Sequence, residues 1–390
     1  MLKISFYSIL FATMSALCFS CSKHKDTADV CPEQYSTDNT HIGTINDVFS
    51  DVELTELAYD GKYYPKTIAR MFIESDKIFI GDNKDNVYVY SLDGSPISSS
   101  LSMRGEGPGE HPFSMGFSWN PHSGLIEILT PETIMFYDEQ FNFVKSSKLE
   151  TRVGKRDRKC IMFYSIFDIS SGLHLLSPTS ASERPIRYVI YNSAEEKNVG
   201  EISYEDDVWG YSNMQYNKFF KMPDGQIICH PGALLPYSYV FDPEKITLSK
   251  LIELKSSGDE ITREYVSQIS GDDATIADYL IECEKSIPVT TIITPGKLLV
   301  TFKRGNSIRN FFTVIFNRNT DESSEYKFYN RDKRIFPTIM DATEDYAYSI
   351  VEKSFIEDNP SLLLNRKEKI TELSSFDDES WVLLKYKFKD

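Results

Sequence analysis

Basic residues are scarce in this chain relative to acidic ones. Its 390 residues include 42 Lys or Arg against 58 Asp or Glu, which gives a formal net charge of −16 at pH 7. A chain this acidic repels the phosphate backbone of DNA and RNA, and the charge therefore excludes nucleic acids as partners.

Residues that commonly bind metals or act as nucleophiles are also few and scattered. The four cysteines that follow Cys21 match no zinc motif or redox pair; they are Cys31, Cys160, Cys229 and Cys283. The six histidines form no pair at metal-ligand spacing, so we expect each on the surface or in a loop; they are His24, His41, His111, His122, His174 and His230. A Gly-x-Ser-x-Gly nucleophile motif is absent. The sequence therefore assigns no catalytic residue and no metal ligand.

Long apolar runs are missing after residue 20. The run from Ile4 to Phe19 follows Lys3 and is too short to span a bilayer comfortably, as in an export signal. Small Ser20 then precedes Cys21 and a polar segment. This arrangement resembles a bacterial lipoprotein signal, and the resemblance implies that Cys21 is lipidated. We predict a signal peptide over 1–20, a flexible tether over 21–44 and a folded body over 45–390.

What the chain does have is aromatic residues, in a repeating pattern. It contains 25 Phe and 23 Tyr, and short strands recur that end in an aromatic residue before a polar turn. The last aromatic residues of these strands are Tyr90, Tyr137, Tyr191, Phe241 and Phe316. The first four are about 50 residues apart, the period of a four-stranded β-propeller blade. The pattern predicts an all-β fold, a β-propeller.

Six blades account best for the rest of the chain. The final strands, from about 335 to 388, form a sixth blade if the early strand near Asp51–Leu57 joins them, which removes an exposed sheet edge. Five or seven blades are the alternatives. Apolar spacings of three and four residues over 257–285, and a segment near 361–374, predict short helical insertions. The fold class is thus a six-bladed β-propeller with short helical insertions.

The segment Arg104-Gly105-Glu106-Gly107-Pro108-Gly109-Glu110 follows the first blade. It resembles the corresponding segment of Bacteroidetes lipoproteins with NHL-like six-bladed propellers. The resemblance extends over about 45–390 and implies the fold, but the function of that family is largely unknown. The glycines are not a phosphate loop, because Pro112 prevents the helix that such a loop must open. Pro108 and Gly109 instead predict a type II turn.

Basic and aromatic residues cluster between blades. In a four-stranded blade, the junction to the next blade lies on the same face as the loop between strands two and three. That face is predicted to carry a binding surface, since guanidinium groups pair with carboxylates or sulfates and aromatic rings suit sugars. Its residues are Arg104, Lys155, Arg156, Arg158, Trp209, Tyr211, Arg304, Arg331 and Arg334. The alternative interpretation is that these loops are simply charged and solvated.

These observations predict an exported, lipid-anchored binding module of the cell envelope, an outer-membrane lipoprotein facing the periplasm or the cell surface. Its partner is an envelope protein, a peptide or an acidic glycan, and its contact with the membrane is the N-terminal lipid alone. One alternative is a calcium-dependent hydrolase or lyase similar to propeller lactonases, with calcium as cofactor. Asn120 and Asp341 are weak candidates for ligands there. Another is a rigid docking platform, since fold alone does not choose among functions.

Overall fold

We analysed a computed structural model of the chain. It describes residues 33–36, 41–59, 61, 64–150, 163–178, 186–203, 219–221, 227–229, 237–243, 245–255, 286–304, 311–320, 322–330 and 333–389. Within these ranges no helix combines the length and the apolarity needed to cross a bilayer.

Three strands and one helical turn precede the first complete blade. They are β1 (Glu33–Ser36), β2 (His41–Ile42), α1 (Ile45–Val48) and β3 (Phe49–Leu57). The helical turn starts with a capping box, in which the Asp47 carboxylate accepts hydrogen bonds from the Thr44 amide (2.6 Å) and the Thr44 hydroxyl (2.8 Å).

Blades 1 to 3 are consecutive four-stranded antiparallel sheets, each ordered from inner to outer strand as the chain runs. Blade 1 contains β4 (Arg70–Glu74), β5 (Lys77–Gly81), β6 (Val87–Ser91) and β7 (Pro96–Ser99). Blade 2 contains β8 (Gly116–Asn120), β9 (Leu125–Leu129), β10 (Thr133–Tyr137) and β11 (Phe143–Lys148). Blade 3 contains β12 (Phe163–Asp168), β13 (Leu173–Pro178), β14 (Ile186–Asn192) and β15 (Lys197–Ser203).

The next two blades follow the same order. Blade 4 contains β16 (Phe219–Lys221), β17 (Ile227–Cys229), β18 (Tyr237–Asp242) and β19 (Thr247–Lys255). Blade 5 contains β20 (Ser286–Ile293), β21 (Lys297–Arg304), β22 (Phe311–Asn317) and β23 (Ser323–Lys327). A small hairpin follows, made of β24 (Tyr329–Asn330) and β25 (Lys333–Arg334).

Blade 6 joins the two ends of the body. It contains β26 (Asp341–Ala342), β27 (Tyr346–Glu352) and β28 (Trp381–Phe388), and β3 supplies its outer strand. Between β27 and β28 lie α2 (Lys353–Asp358), a 3₁₀ turn (Pro360–Leu362) and α3 (Arg366–Leu373). The predicted closure by the early strand and the helical insertion near 361–374 are confirmed. The helices predicted over 257–285 lie outside the described residues.

The core is divided among the contacts between blades. Six clusters of buried apolar side chains each combine residues of two consecutive blades, and the series closes from blade 6 back to blade 1. The aromatic residues that revealed the period are fully buried in the third strands of blades 1 to 5, and Tyr386 does the same in blade 6. The six-bladed β-propeller is therefore confirmed.

The boundary of the predicted tether is wrong. Pro32–Asp390 forms one compact unit, and two strands within it precede residue 45. β1 pairs in parallel with the outer strand of blade 4, and β2 does the same in blade 5. Tyr35 is buried against Phe316, with 5.2 Å between ring centroids, and this apolar anchor outweighs the polar composition that suggested a flexible segment. The signal peptide and the tether residues 21–32 lie outside the described part of the chain.

Candidate functional site

Arg104 lies in the junction between blades 1 and 2, as the topology predicts. Its guanidinium Nη1 donates a hydrogen bond to the carbonyl oxygen of Lys84 and lies 3.4 Å from the Asn86 side-chain oxygen. Both partners belong to the loop between the second and third strands of blade 1. That loop in turn touches the junction from blade 6, because the Asn83 amide donates to the Thr67 hydroxyl at 3.2 Å. The three loops therefore form one continuous surface.

We call this surface the Arg104 face and define it as the described residues of 58–69, 82–86 and 100–115. Its exposed cations are Lys66, Lys84 and Arg104. Two aromatic side chains on it are also accessible, Tyr59 at 65% and Phe113 at 39% of their surface. Exposed cations and accessible aromatic rings therefore lie together on this face.

The glycine-rich loop that supports Arg104 is a compact turn. The Glu110 amide donates to the Gly107 carbonyl at 3.0 Å, and Gly109 has φ of +78°, so the predicted type II turn is confirmed. The Glu110 carboxylate accepts the Gly107 amide at 2.9 Å. A Cβ on Gly109 would lie 2.8 Å from the Phe143 ring, which requires glycine at that position. The loop is thus fixed by its own backbone and holds Arg104 in place.

Arg334, also predicted to bind a ligand, is instead a structural residue. Only 9% of it is exposed, and its guanidinium donates to the Phe336 carbonyl at 2.8 Å and to the Tyr329 hydroxyl at 3.1 Å. The same group lies 4.2 Å from the centroid of the Phe328 ring. Burial lowers the pKa of Arg334. Its assignment to the binding surface is therefore wrong, because protein groups already occupy the cation.

The side chains of the other predicted binding residues are not among those that the structure describes. The backbone of Arg304 ends β21 and pairs with Ser286. The remaining residues lie outside the described part of the chain; they are Lys155, Arg156, Arg158, Trp209, Tyr211 and Arg331. Cys21 lies outside it as well.

A second site, which the sequence did not predict, lies between blades 2 and 3. It combines Glu127 from β9, Asp168 from the end of β12 and His174 from β13, and all three are buried. In the part of the chain that the structure describes, these residues form the one group of acidic, His or Cys side chains that could hold a metal ion. Asp168 lies where β12 enters its turn to β13, at the end of the inner strands opposite the loops of the Arg104 face.

Both carboxylates approach the same nitrogen of the imidazole. His174 Nδ1 lies 3.0 Å from Asp168 Oδ1 and 3.0 Å from Glu127 Oε2. The geometry of a hydrogen bond is met between His174 Nδ1 and Asp168 Oδ1. Glu127 Oε2 receives no hydrogen bond, although it lies equally close to Nδ1. The Asn120 amide nitrogen donates to the other Glu127 oxygen at 2.9 Å. His174 Nε2 lies 3.0 Å from the Ser193 hydroxyl oxygen.

The electrostatics of this group differ from those of free side chains. Burial, and then the neighbouring Asp168, raise the pKa of Glu127. Burial alone would lower the pKa of His174, but its contacts with Asp168 and Glu127 outweigh that effect and raise the pKa to about 9. Both the imidazole of His174 and the carboxyl of Glu127 therefore retain a proton more readily than free side chains do.

The expectation that every histidine lies on the surface or in a loop is wrong for His174, which is buried within a strand. His111 does lie in a loop, but only 1% of it is exposed. One signal in the sequence could have found the second site. Glu127 stands in the middle of the apolar strand Leu125–Leu129, where an isolated charge needs a buried partner.

The sheets and the six clusters between them define the class of protein, a six-bladed β-propeller. The chain belongs to the DUF5128 family, described as a six-bladed β-propeller, whose model matches residues 24–356. No curated protein sequence matches this chain.

Two solved structures from Bacteroides are similar to it. A candidate exported protein of Bacteroides fragilis matches with a TM-score of 0.70 and 13% identity, over 92% of this chain and 99% of that one. A member of the DUF4221 family from Bacteroides vulgatus matches with a TM-score of 0.53 and 10% identity, over 88% of this chain and 98% of that one. At these identities the likeness concerns the fold.

Proposed function

We propose that this protein is an exported binding module of the cell envelope, and that its ligand carries carboxylate or sulfate groups and binds the Arg104 face. The observation that carries the proposal is the exposed Arg104 guanidinium. Among the described residues only its Nη1 has hydrogen-bond partners, which leaves the donors on Nη2 and Nε for a ligand. Two such donors match the two oxygens of a carboxylate or sulfate.

The surroundings of Arg104 support a ligand of this chemistry. Lys66 and Lys84 add positive charge beside Arg104, while Asp82, Asp85, Glu106 and Glu110 add negative charge to the same face. An anionic ligand is therefore recognised by the paired donors of Arg104 rather than by a net positive field. Tyr59 and Phe113 offer apolar surface for a sugar ring or a peptide side chain. An acidic glycan and an acidic peptide share these features.

Binding measurements can test the proposal and separate the two ligand types. The purified protein is titrated with sulfated and uronic-acid oligosaccharides, with neutral oligosaccharides of the same size, and with acidic peptides. We expect binding of acidic ligands that weakens as salt rises. Arg104→Ala should lower the affinity about tenfold or more, because a charge-assisted hydrogen bond contributes roughly 1.5–3 kcal/mol.

Lys197→Ala is the matched control, since Lys197 is an exposed cation on the outer part of blade 3 that pairs with Glu195. It should leave binding unchanged. Equal affinity for neutral and acidic oligosaccharides, or an Arg104→Ala variant that binds as well as the wild type, would contradict the proposal.

The location in the envelope is part of the same proposal. The Lys3 to Cys21 segment resembles a lipoprotein signal, and the similar Bacteroides fragilis protein is described as a candidate for export. We expect Cys21 to carry the lipid and the propeller to belong to an outer-membrane lipoprotein. Cys21→Ser should move the protein from the membrane fraction to the soluble fraction. Its unchanged presence in membranes would argue against lipid anchoring.

The calcium-dependent enzyme gains no support from the residues considered for it. The Asn120 side chain donates to Glu127 and Ser170 and accepts the amides of His122 and Ser123. The Asp341 carboxylate accepts the amides of Ile73 at 2.7 Å and Ala342 at 2.9 Å. Both side chains serve the fold at these positions. We therefore carry the binding module forward as the single proposed function.

A further inference from the structure

The outer nitrogen of His174 has a hydrogen-bond partner of its own. The Ser193 hydroxyl oxygen lies 3.0 Å from His174 Nε2 and 3.3 Å from the Gly172 carbonyl oxygen, so it can accept a hydrogen from Nε2 while it donates to the carbonyl. In that arrangement a neutral imidazole presents a lone pair at Nδ1.

That lone pair would point at two carboxylates. Nδ1 lies 3.0 Å from an oxygen of Asp168 and 3.0 Å from an oxygen of Glu127, and acceptors do not face one another without a cation between them. A proton on Nδ1 supplies one hydrogen bond, which Asp168 Oδ1 receives. Glu127 Oε2 and Asp168 Oδ2 accept no hydrogen bond from the described side chains or backbone, although both are buried. Either a proton between the two carboxyl groups or a metal ion would satisfy them, since the two groups lie close together. Buried carboxylate oxygens of this kind normally accept hydrogen bonds or bind a metal.

We propose that Zn²⁺ binds between Glu127, Asp168 and His174 and joins blade 2 to blade 3. The three ligand atoms lie within 4.8 Å of one another, close enough to contract around one ion. Histidine nitrogen and carboxylate oxygen are both ligands of Zn²⁺, and the second Asp168 oxygen can complete a set of four. Two carboxylates and a neutral imidazole also balance the charge of the ion.

Neighbouring side chains make hydrogen bonds to the outer atoms of two of the ligands, Glu127 and His174, as they do in known metal sites. Asn120 donates to the Glu127 oxygen that points away from the imidazole, at 2.9 Å, and Ser193 accepts from the outer nitrogen of His174. Such outer contacts orient ligands toward an ion. The nitrogen ligand argues against Ca²⁺, which takes oxygen ligands. Because all three side chains are buried, the site is closed and structural.

Metal analysis of protein produced under two growth conditions tests the proposal. Wild-type protein from zinc-supplemented cells should contain about one zinc per chain after dialysis against chelator-free buffer, measured by elemental mass spectrometry. Protein from zinc-depleted cells should contain none and melt at a lower temperature, because an ion that binds only the folded state stabilises it. Equal zinc content below a tenth of the protein concentration in both preparations would overturn the proposal, as would a rise in melting temperature with Ca²⁺ but not Zn²⁺.

Glu127→Gln separates metal binding from folding. In this variant His174 Nδ1–H donates to one Asp168 oxygen and the glutamine amide can donate to the other, so the group needs no metal ion and should fold. We expect it to lose the zinc and to melt at one temperature whether or not zinc was supplied. Glu139→Gln is the matched control, since Glu139 is a partly exposed acid at the neighbouring interface, and it should keep the zinc. Retention of zinc by Glu127→Gln would contradict the assignment.

A spectroscopic measurement on the wild type removes any dependence on how the variant folds. Protein produced with Co²⁺ in place of Zn²⁺ should show the visible ligand-field bands of a four-coordinate ion in a site of nitrogen and oxygen ligands. Absence of these bands in folded, cobalt-grown protein would overturn the proposal.

Discussion

The interface between blades 1 and 2 and the interface between blades 2 and 3 fill the same position with opposite chemistry. The third residue of the second strand is Phe79 in blade 1 and Glu127 in blade 2. Phe79 stacks on Phe72 and Trp119, at 5.0 and 5.5 Å between ring centroids. Glu127 meets Asp168 and His174 instead. The fold accepts an apolar side chain at this position, so it does not itself require the acid in blade 2.

The same two interfaces each bury a histidine, and they hold it in opposite states of charge. Among the described residues, the hydrogen-bond partner of the His111 side chain is the Tyr137 hydroxyl, 3.1 Å from Nδ1. Burial, and then the positive charge of Arg104, lower the pKa of His111 to about 4. His174, between two carboxylates, has its pKa raised to about 9. The first interface thus disfavours a charged His111, and the second favours a charged His174.

The largest expected change in stability comes from placing an acid at the interface between blades 1 and 2, at the position that Glu127 occupies between blades 2 and 3. Phe79→Glu buries a carboxyl group without a cation and also removes the aromatic packing. We expect a loss of at least about 4 kcal/mol in the free energy of unfolding, measured with urea. Phe79→Leu, which keeps the site apolar, should cost clearly less. If the two variants were equally stable, the interface between blades 1 and 2 would tolerate a buried acid, and it would not differ from the interface between blades 2 and 3 in this respect.

Removing each histidine sharpens the comparison. His174→Leu leaves two buried carboxylates without their partner and should cost roughly 3–5 kcal/mol at pH 7. His111→Leu loses one neutral hydrogen bond and should cost about 1–2 kcal/mol. Urea unfolding of both variants measures the difference. A smaller loss for His174→Leu than for His111→Leu would show that the acidic cluster does not hold its cation as described.

Both histidines should contribute to the pH dependence of the stability of metal-free protein, and their contributions should have opposite signs. Because the folded pKa of His111 lies below the ordinary 6.5, the unfolded chain binds the proton more readily, and stability falls as pH drops from 6.5 toward 4. Because the folded pKa of His174 is raised from 6.5 to about 9, its contribution to stability is lost as pH rises through that interval. Glu127, whose pKa is raised from 4.5 to about 8, loses its contribution as pH rises through that lower interval.

Melting temperatures across this pH range, in the presence of chelator, check the two limbs separately. His111→Leu should flatten the acid limb. His174→Leu should remove the contribution of the imidazole between pH 6.5 and 9 and leave that of Glu127. If both variants altered the same limb, the assignment of the two histidines to opposite charge states would be wrong.

The smallest effect is expected for an exposed ion pair across the first interface. Lys77 and Glu139 lie 2.9 Å apart, and both side chains are partly accessible to solvent. Exposed pairs of this kind contribute about 0.2–1 kcal/mol, so Glu139→Gln should change the free energy of unfolding by no more than that. A double-mutant cycle with Lys77→Met isolates the pair. A coupling as large as the effect of His174→Leu would remove the distinction between exposed and buried charges.

The sequence was sufficient to predict the architecture because its signal repeats. The buried aromatic at the end of each third strand marks the period, and the strand near Asp51 had to pair with something to hide its edge. The turn at Gly107–Glu110 was also predictable, because proline followed by glycine restricts φ at both central positions.

The sites were harder to predict, because they depend on which side chains the fold brings together. Glu127 and His174 lie on different blades, and no spacing rule connects them. Arg334 was misassigned because a cation in a junction has the same sequence signature whether it faces solvent or packs on Phe328. Glu33–Ser36 and His41–Ile42 were misread because their pairing partners, in blades 4 and 5, lie more than 200 positions away.

The pairing of β3 with β28 also sets the order of folding. Leu57 meets Trp381, so blade 6 cannot be completed until nearly the whole chain is available. Bringing such distant segments together costs about 5 kcal/mol of chain entropy by loop-closure scaling. Because β1 and β2 bind the outer edges of blades 4 and 5, the same N-terminal segment must wait for three blades. The ring therefore closes last, after the C-terminal strand has emerged from whatever synthesises or translocates the chain.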